Sequence, residues 1–505
     1  MKRPICLIIR DGWGKGAETD SNAIYKAKTP FTDKIEKEFP TTLINTSGLD
    51  VGLPEGYQGN SEVGHLNIGS GRIVYQSLTR IDNAIENGEF FKDQTIRNSI
   101  KSAVKRSSAI HLMGLIQEEG VHAVTRHCLE ILKIAKDEGA AKVLIHAITD
   151  GRDTPPKSAL NHLAFLQEGI DRIGTGKIVS VTGRYYIMDR DKRWERTEKG
   201  YRAVMQGEGR KSGSWEEAVK NSYTEGVTDE FIDPCVIDYD GISENDTFIF
   251  FNFRFDRTRQ ITKAIVEKEF SEFDTIRHNL NFITMTHYYD NGNFTEVFSE
   301  LTYKNILGKV ISMKGLKQLR ISETEKFAHV TFFFNALKND PFPGEERILI
   351  NSPRVATYDK KPEMSALEIT EKLINEIKSD KYDLIIVNYA NCDMVGHTGV
   401  FDKIVIAVET VDLCTEKVSK AILEKNGIVI LTADHGNAEE TKLKDGSPMT
   451  SHTTNPVPLT LMGIEDAELR SGGKLSDIAP TILNIIGIEK PAEMDGSSLI
   501  IRNPK

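Results

Sequence analysis

The sequence predicts an α/β protein with mostly parallel sheets, in which a second α/β domain interrupts a discontinuous first one. Three observations carry this. Short apolar runs rich in β-branched residues recur along the chain, helical patterns separate them, and residues suited to metal binding gather towards its two ends.

The runs at 4–9, 142–145, 247–253, 383–388 and 427–432 are apolar almost throughout, as expected of strands covered on both faces. Between 402 and 426, Ile404, Val408, Val411, Val418 and Ile422 recur at helical spacing and form one apolar stripe. A chain of 505 residues exceeds one ordinary core, so two domains are expected. Candidate metal ligands fall near 11 and 61 and again from 393 to 452, whereas the interval between them is rich in Arg-Asp motifs. The economical division assigns 1–75 and 302–505 to a metal-binding domain and 76–301 to an inserted domain. Two chain crossings, near 73–77 and 300–305, then form a double hinge.

Composition narrows the function classes. A net charge of −10 argues against a mainly electrostatic nucleic-acid binder. The 39% hydrophobic and 27% charged content is ordinary for a soluble globular protein. The apolar run after residue 4 is too short for a signal-peptide core, and no later run approaches a membrane span. Cys6, Cys128, Cys235, Cys392 and Cys414 are scattered without a CxxC pair, which suits inert thiols in a reducing cytoplasm.

Each candidate ligand follows a predicted strand or lies in a loop. Asp11 opens the turn Asp11-Gly12-Trp13-Gly14 after the first strand, where ligands gather in parallel sheets. Asp393 and His397 are four apart beyond the run 383–388, on one side of a helical turn or compact loop. Asp434 and His435 follow the run 427–432, and His452 lies in Thr450-Ser451-His452-Thr453-Thr454-Asn455-Pro456, a segment of loop formers. Mixed carboxylate and imidazole donors without thiolate favour Mn²⁺, with Zn²⁺ as the alternative. There are enough ligands for two ions, an arrangement suited to phosphoryl transfer.

Gln58-Gly59-Asn60-Ser61-Glu62-Val63-Gly64-His65 places a serine between glycines where a helix can begin and its backbone N–H groups favour an anion. Ser61 is read either as a helix N-cap or as a nucleophile awaiting activation by a base or metal. His65 is either a ligand or structural.

Together these motifs resemble the cofactor-independent phosphoglycerate mutase family, within the alkaline phosphatase superfamily. The resemblance runs in order through Asp11-Gly12-Trp13-Gly14, Asp150-Gly151-Arg152-Asp153, Gly183-Arg184-Tyr185-Tyr186, the segments 188–196, 252–260 and 323–331, and Thr432-Ala433-Asp434-His435-Gly436-Asn437. It implies an alkaline-phosphatase-like metal domain carrying the insert. Asp393, His397 and His452 match the ligands of one manganese. Asp11, Ser61, Asp434 and His435 match those of the other, with Ser61 also the phosphorylated nucleophile. Lys326 matches a lysine beside that serine. His122, Arg152, Asp153, Arg184 and Arg190 match groups that hold glycerate, and Arg254 and Arg257 match a phosphate-gripping pair.

The resemblance further implies a monomer that binds 3-phosphoglycerate or 2-phosphoglycerate, with no nucleic-acid or membrane partner. Asp153 is expected to act as acid and base, and closure of the insert to keep water from phosphoserine. A related metal-dependent phosphatase or phosphomutase is the alternative. Arg10 departs from the family pattern, standing where an apolar residue is usual.

Overall fold

In the computed structural model, which describes residues 3–299 and 301–501, the apolar run after residue 4 becomes a central strand, Ile5–Arg10. Every residue of that strand is buried, because parallel neighbours flank it on both edges: Leu384–Tyr389 on one side and Ile428–Thr432 on the other. The chain divides into two compact units, Met1–Gln76 with Thr302–Lys505, and Ser77–Leu301. Glu300, in the second expected crossing, lies outside the described residues.

The first unit carries an eight-stranded sheet in the order Glu345–Ile350, Gln318–Glu323, Leu384–Tyr389, Ile5–Arg10, Ile428–Thr432, Val457–Met462, Thr41–Asn45, Gly473–Lys474. Only Val457–Met462 runs antiparallel to its two neighbours. The helix Phe401–Leu423 buries Ile404, Val408, Val411, Val418 and Ile422, the stripe read from the sequence. The second unit has its own eight-stranded sheet, in the order Thr295–Phe298, Asn281–Thr286, Thr247–Phe250, Ile110–Leu115, Val143–Thr149, Lys177–Gly183, Cys235–Val236, Arg210–Lys211. Its pairing is parallel except between Lys177–Gly183 and Cys235–Val236. The α/β expectation therefore holds in both units. All five cysteines are buried and unpaired, and no described helix is long and apolar enough to cross a membrane.

Arg10 is 1% exposed, and its charge is directed away from Asp11. Its guanidinium stacks 3.9 Å over the Trp13 ring and donates to Thr32 Oγ1 at 2.9 Å. Thr32 in turn donates to Asp412 on the helix Phe401–Leu423, through its backbone N–H at 2.9 Å and its hydroxyl at 2.5 Å. Burial pulls the Arg10 pKa down to about 10 while Asp412 holds it up, so the group stays charged at neutral pH.

A buried polar chain crosses four adjacent strands or their ends in the second unit. Asp246 Oδ2 lies 3.1 Å from His111 Nε2, His111 Nδ1 lies 3.0 Å from His146 Nε2, and His146 Nδ1 lies 2.9 Å from Ser180 Oγ. Burial depresses both imidazole pKa values below the ordinary 6.5; Asp246 opposes this at His111, and His111 reinforces it at His146. The stability tied to these neutral rings is complete above 6.5. It is lost below that pH, where the unfolded chain takes up protons that the folded chain refuses. Each ring contributes a slope of up to about 1.4 kcal/mol per pH unit. Urea midpoints should fall between pH 7.5 and 5.5, and more steeply in the parent than in His146→Gln. Parallel slopes in the two proteins would refute this account.

Candidate active site

Asp11 leaves the strand Ile5–Arg10 at a tight turn. Gly12 has φ +77°, and a Cβ there would lie 2.8 Å from the backbone nitrogen of Asp393, so only glycine lets the two loops touch. The Asp393 N–H donates to the Asp11 carbonyl at 3.1 Å. Ser61 is the first residue of the helix Ser61–Ser70, but Asn60 is its N-cap and accepts from Val63 N at 2.9 Å. The capping alternative for Ser61 is thereby removed.

The Ser61 side chain is instead committed to charged neighbours. Its hydroxyl donates to Asp11 Oδ1 at 3.1 Å, accepts from Lys326 Nζ at 2.7 Å, and lies 2.9 Å from His435 Nε2. Lys326 also donates to Asp11 Oδ1 at 2.8 Å and Asp393 Oδ2 at 2.6 Å. Burial alone would lower the lysine pKa, but Asp11, Asp393 and Asp434 together raise it. Burial raises the pKa of Asp11, reinforced by Asp434. Burial opposes ionisation of Asp393 as well, yet Lys326, His397 and His452 hold it well below the usual carboxylate range.

Three histidines face this cluster with their Nε2 atoms. Each Nδ1 sits against a backbone carbonyl: His452 against Gly59 at 2.8 Å, His397 against Thr450 at 2.6 Å, and His435 against Gly436 at 3.3 Å. A carbonyl only accepts, so Nδ1 carries the hydrogen and the neutral ring keeps its lone pair on Nε2. The Nε2 atoms of His397 and His452 lie 3.1 Å apart, and 3.1 and 2.9 Å from Asp393 Oδ1. His435 Nε2 lies 3.4 Å from Asp11 Oδ1 and 3.6 Å from Asp434 Oδ2. That Asp434 oxygen is buried without a hydrogen-bond partner.

Acceptors crowded in this way repel one another unless a cation or proton lies between them. Two donor groups, Asp393–His435–His452 and Asp11–Asp434–His435, each have ligand atoms within 4.8 Å of one another. Their oxygen and nitrogen donors fit a divalent metal ion. Hydrogen bonding to Asp393 raises the His397 pKa, and Asp393 does the same for His452 against the effect of burial. Protons and metal thus compete for these lone pairs.

The second unit gathers a different set beyond the carboxyl ends of its strands. Arg184 donates to Asp150 Oδ1 at 2.7 Å and to Asp153 Oδ2 at 2.5 Å, and lies 3.1 Å from His122 Nε2. Asp150 Oδ1 also accepts the backbone N–H groups of Arg152 and Asp153, which fixes that loop. Asp256 pairs with Arg190 at 2.9 Å and Arg254 at 3.2 Å, and lies 3.7 Å from His122. Arg257 donates to the Met188 carbonyl, and Arg152 extends to Glu230 at 3.5 Å. Burial, then Arg190, Arg184 and Arg152, depress the Arg257 pKa, the signature of crowded cations suited to an anion.

A family model described as the Metalloenzyme superfamily matches residues 3–490. The 2,3-bisphosphoglycerate-independent phosphoglycerate mutase of Clostridium kluyveri is 51% identical over 506 residues, covering 99% of each chain. The protein of that name from Clostridium novyi is 52% identical over 507 residues, with the same coverage. Among solved structures, phosphoglycerate mutase of Leishmania mexicana, determined at low cobalt concentration, aligns with a TM-score of 0.61 and 31% identity. That alignment covers 100% of this chain and 98% of the other. The chain belongs to the 2,3-bisphosphoglycerate-independent phosphoglycerate mutase family. It is an enzyme, an isomerase, and it uses divalent metal, as superfamily membership and the donor groups together indicate.

In this family member the structure brings Asp11, Ser61, Lys326, Asp393, His397, Asp434, His435 and His452 into one cluster in the first unit. In the second unit it joins His122, Asp153 and Arg184, and links Arg190 and Arg254 through Asp256. Arg152 and Arg257 stand beside that network without a hydrogen bond into it. His65 is buried; its Nδ1 lies 2.8 Å from the Ser61 carbonyl and its Nε2 3.1 Å from Asn388 Nδ2. Asn388, which sequence patterning does not single out, donates to Asp11 Oδ2 at 2.7 Å. The only signal for Asn388 is a polar residue inside an otherwise apolar strand.

Proposed function

We propose that this enzyme interconverts 3-phosphoglycerate and 2-phosphoglycerate, without 2,3-bisphosphoglycerate, by passing the phosphoryl group through Ser61. The observation that carries the reading is the convergence of Asp11, Lys326 and His435 on one buried serine oxygen. The Lys326 ammonium favours the alkoxide form of Ser61, and the hydroxyl proton is already directed at Asp11 Oδ1. Ser61 Oγ bonds to phosphorus as the bond from phosphorus to the glycerate oxygen breaks. Asp153 gives that oxygen a proton, and in the second half-reaction takes one from the other hydroxyl as the phosphoryl group returns.

Burial would raise the Asp153 pKa, but Arg184, followed by His122, holds it below the usual value. When a substrate anion engages Arg184, that support weakens and the carboxyl gains the proton it must donate. His122, Arg152, Arg184 and Arg190 hold the glycerate, and Arg254 and Arg257 hold the phosphate, through bidentate guanidinium contacts. Two divalent ions, Mn²⁺ in preference to Zn²⁺, would be held by Asp393, His397 and His452 and by Asp11, Ser61, Asp434 and His435, and would supply Lewis-acid stabilisation of phosphoryl oxygens. The reading carries with it a monomeric, cytoplasmic enzyme.

A coupled assay on 3-phosphoglycerate is expected to yield 2-phosphoglycerate without free phosphate. Phosphate release alone would favour a metal-dependent phosphatase. Chelation should remove activity and Mn²⁺ should restore it best, because the donors suit that ion. Full recovery with Mg²⁺ alone would overturn the manganese assignment.

A further inference from the structure

Glu439 is a 2% exposed carboxylate with no ion-pair partner among the described residues. Its Oε2 accepts the backbone N–H groups of Gly14 at 3.1 Å and Asn437 at 2.8 Å. Its Oε1 accepts from Asn455 Nδ2 at 3.1 Å and from the Thr453 hydroxyl. Those donors lie on three separate loops: Gly14 is three residues beyond Asp11, Asn437 two beyond His435, and Thr453 next to His452. The space is shaped for the carboxylate, because a Cβ at Gly14 or Gly436 would overlap it.

We propose that Glu439 is a positioning residue of the metal centre, one buried carboxylate that ties the loops carrying Asp11, Asp434 with His435, and His452 to one another. Four donors occupy its two oxygens, so it acts through hydrogen bonds to the loops and not as a ligand. Two direct backbone links close the same junction: Ala438 N donates to the Gly12 carbonyl at 3.1 Å, and Thr453 N to the Gly436 carbonyl at 3.0 Å. Removing Glu439 leaves these links but frees four donors, and the ligand loops lose their common anchor. Outer partners of this kind typically change metal affinity by about 10–100-fold.

The inference rests on the metal-centre reading, and the experiment separates the two. Calorimetric titration with Mn²⁺ alone is performed on the metal-free full chain, at a temperature where circular dichroism shows each variant folded. Failure of the parent to bind would sink the metal-centre reading itself. Glu439→Ala should weaken binding at least about tenfold. Glu439→Gln should stay within about threefold, since its oxygen keeps Gly14 and Asn437 while the Thr453 hydroxyl and Asn455 amide turn to accept its NH₂. Parent-like affinity in Glu439→Ala, or equal losses in both variants, would overturn the positioning role. If Glu439→Ala does not fold, Thr453→Val replaces it: one tether is lost and affinity should drop about tenfold, the low end for such outer partners. An unchanged affinity there would count equally against the proposal.

Discussion

Ser61→Ala is expected to lower phosphoryl transfer by about 10⁴-fold or more, because it removes the atom proposed to carry the phosphoryl group. The fold should survive for reasons specific to this site. Lys326 keeps Asp11 at 2.8 Å and Asp393 at 2.6 Å, and Asp11 keeps Asn388 at 2.7 Å, so no buried charge loses its last partner. The helix Ser61–Ser70 keeps its Asn60 cap, and alanine is the best helix former at the vacated position. The lost hydroxyl contacts should cost only about 1–3 kcal/mol. The assay pairs turnover with thermal unfolding, and mass spectrometry of enzyme quenched during turnover should detect phosphate on the parent protein only. Activity within tenfold of the parent would refute Ser61 as the nucleophile.

The candidate site residues are more legible in the sequence than the groups that hold them. Asp393 and His397 stand out because a polar pair four residues apart follows an apolar strand, and the short helix Asn391–Gly396 does set both against His452. The long helix was readable because burial repeats at its own period. Val457–Met462 was harder, since a strand buried along its whole length has the same apolar pattern whether its neighbours run parallel or antiparallel. Asn388, Asp256 and Glu439 were hard to read because each also depends on a partner far away in sequence: Asn388 meets Asp11 across 377 positions, Asp256 meets Arg190 across 66, and Glu439 meets Gly14 across 425. Their roles follow from three-dimensional hydrogen bonding, which local spacing does not encode. Arg10 is the reverse case. In sequence it is a cation beside Asp11, and only the Trp13–Thr32–Asp412 surroundings show its charge to be directed elsewhere.

Lys326→Met should separate stability from catalysis at the same cluster. Methionine fills most of the lysine's volume but removes the ammonium bonded to Asp11, Asp393 and Ser61. The lysine pKa is raised in the folded state above its ordinary 10.5, so its stabilising effect is fully present at neutral pH and below. Without it, Asp11 and Asp393 become buried carboxylates short of positive charge, a change that typically costs about 3–5 kcal/mol. The metal-free variant should therefore unfold at clearly lower denaturant than the metal-free parent. Divalent metal should narrow that gap, since a cation bound to the same carboxylates stabilises only the folded chain. Activity should not recover with it: the donor proposed to favour the Ser61 alkoxide is gone, and a loss of about 10³-fold should remain in the metal-loaded variant. Guanidinium midpoints with and without metal, measured beside kcat, test both halves. Equal metal-free midpoints would contradict the electrostatic account, and full activity in the loaded variant would show that Lys326 serves the fold and not the serine.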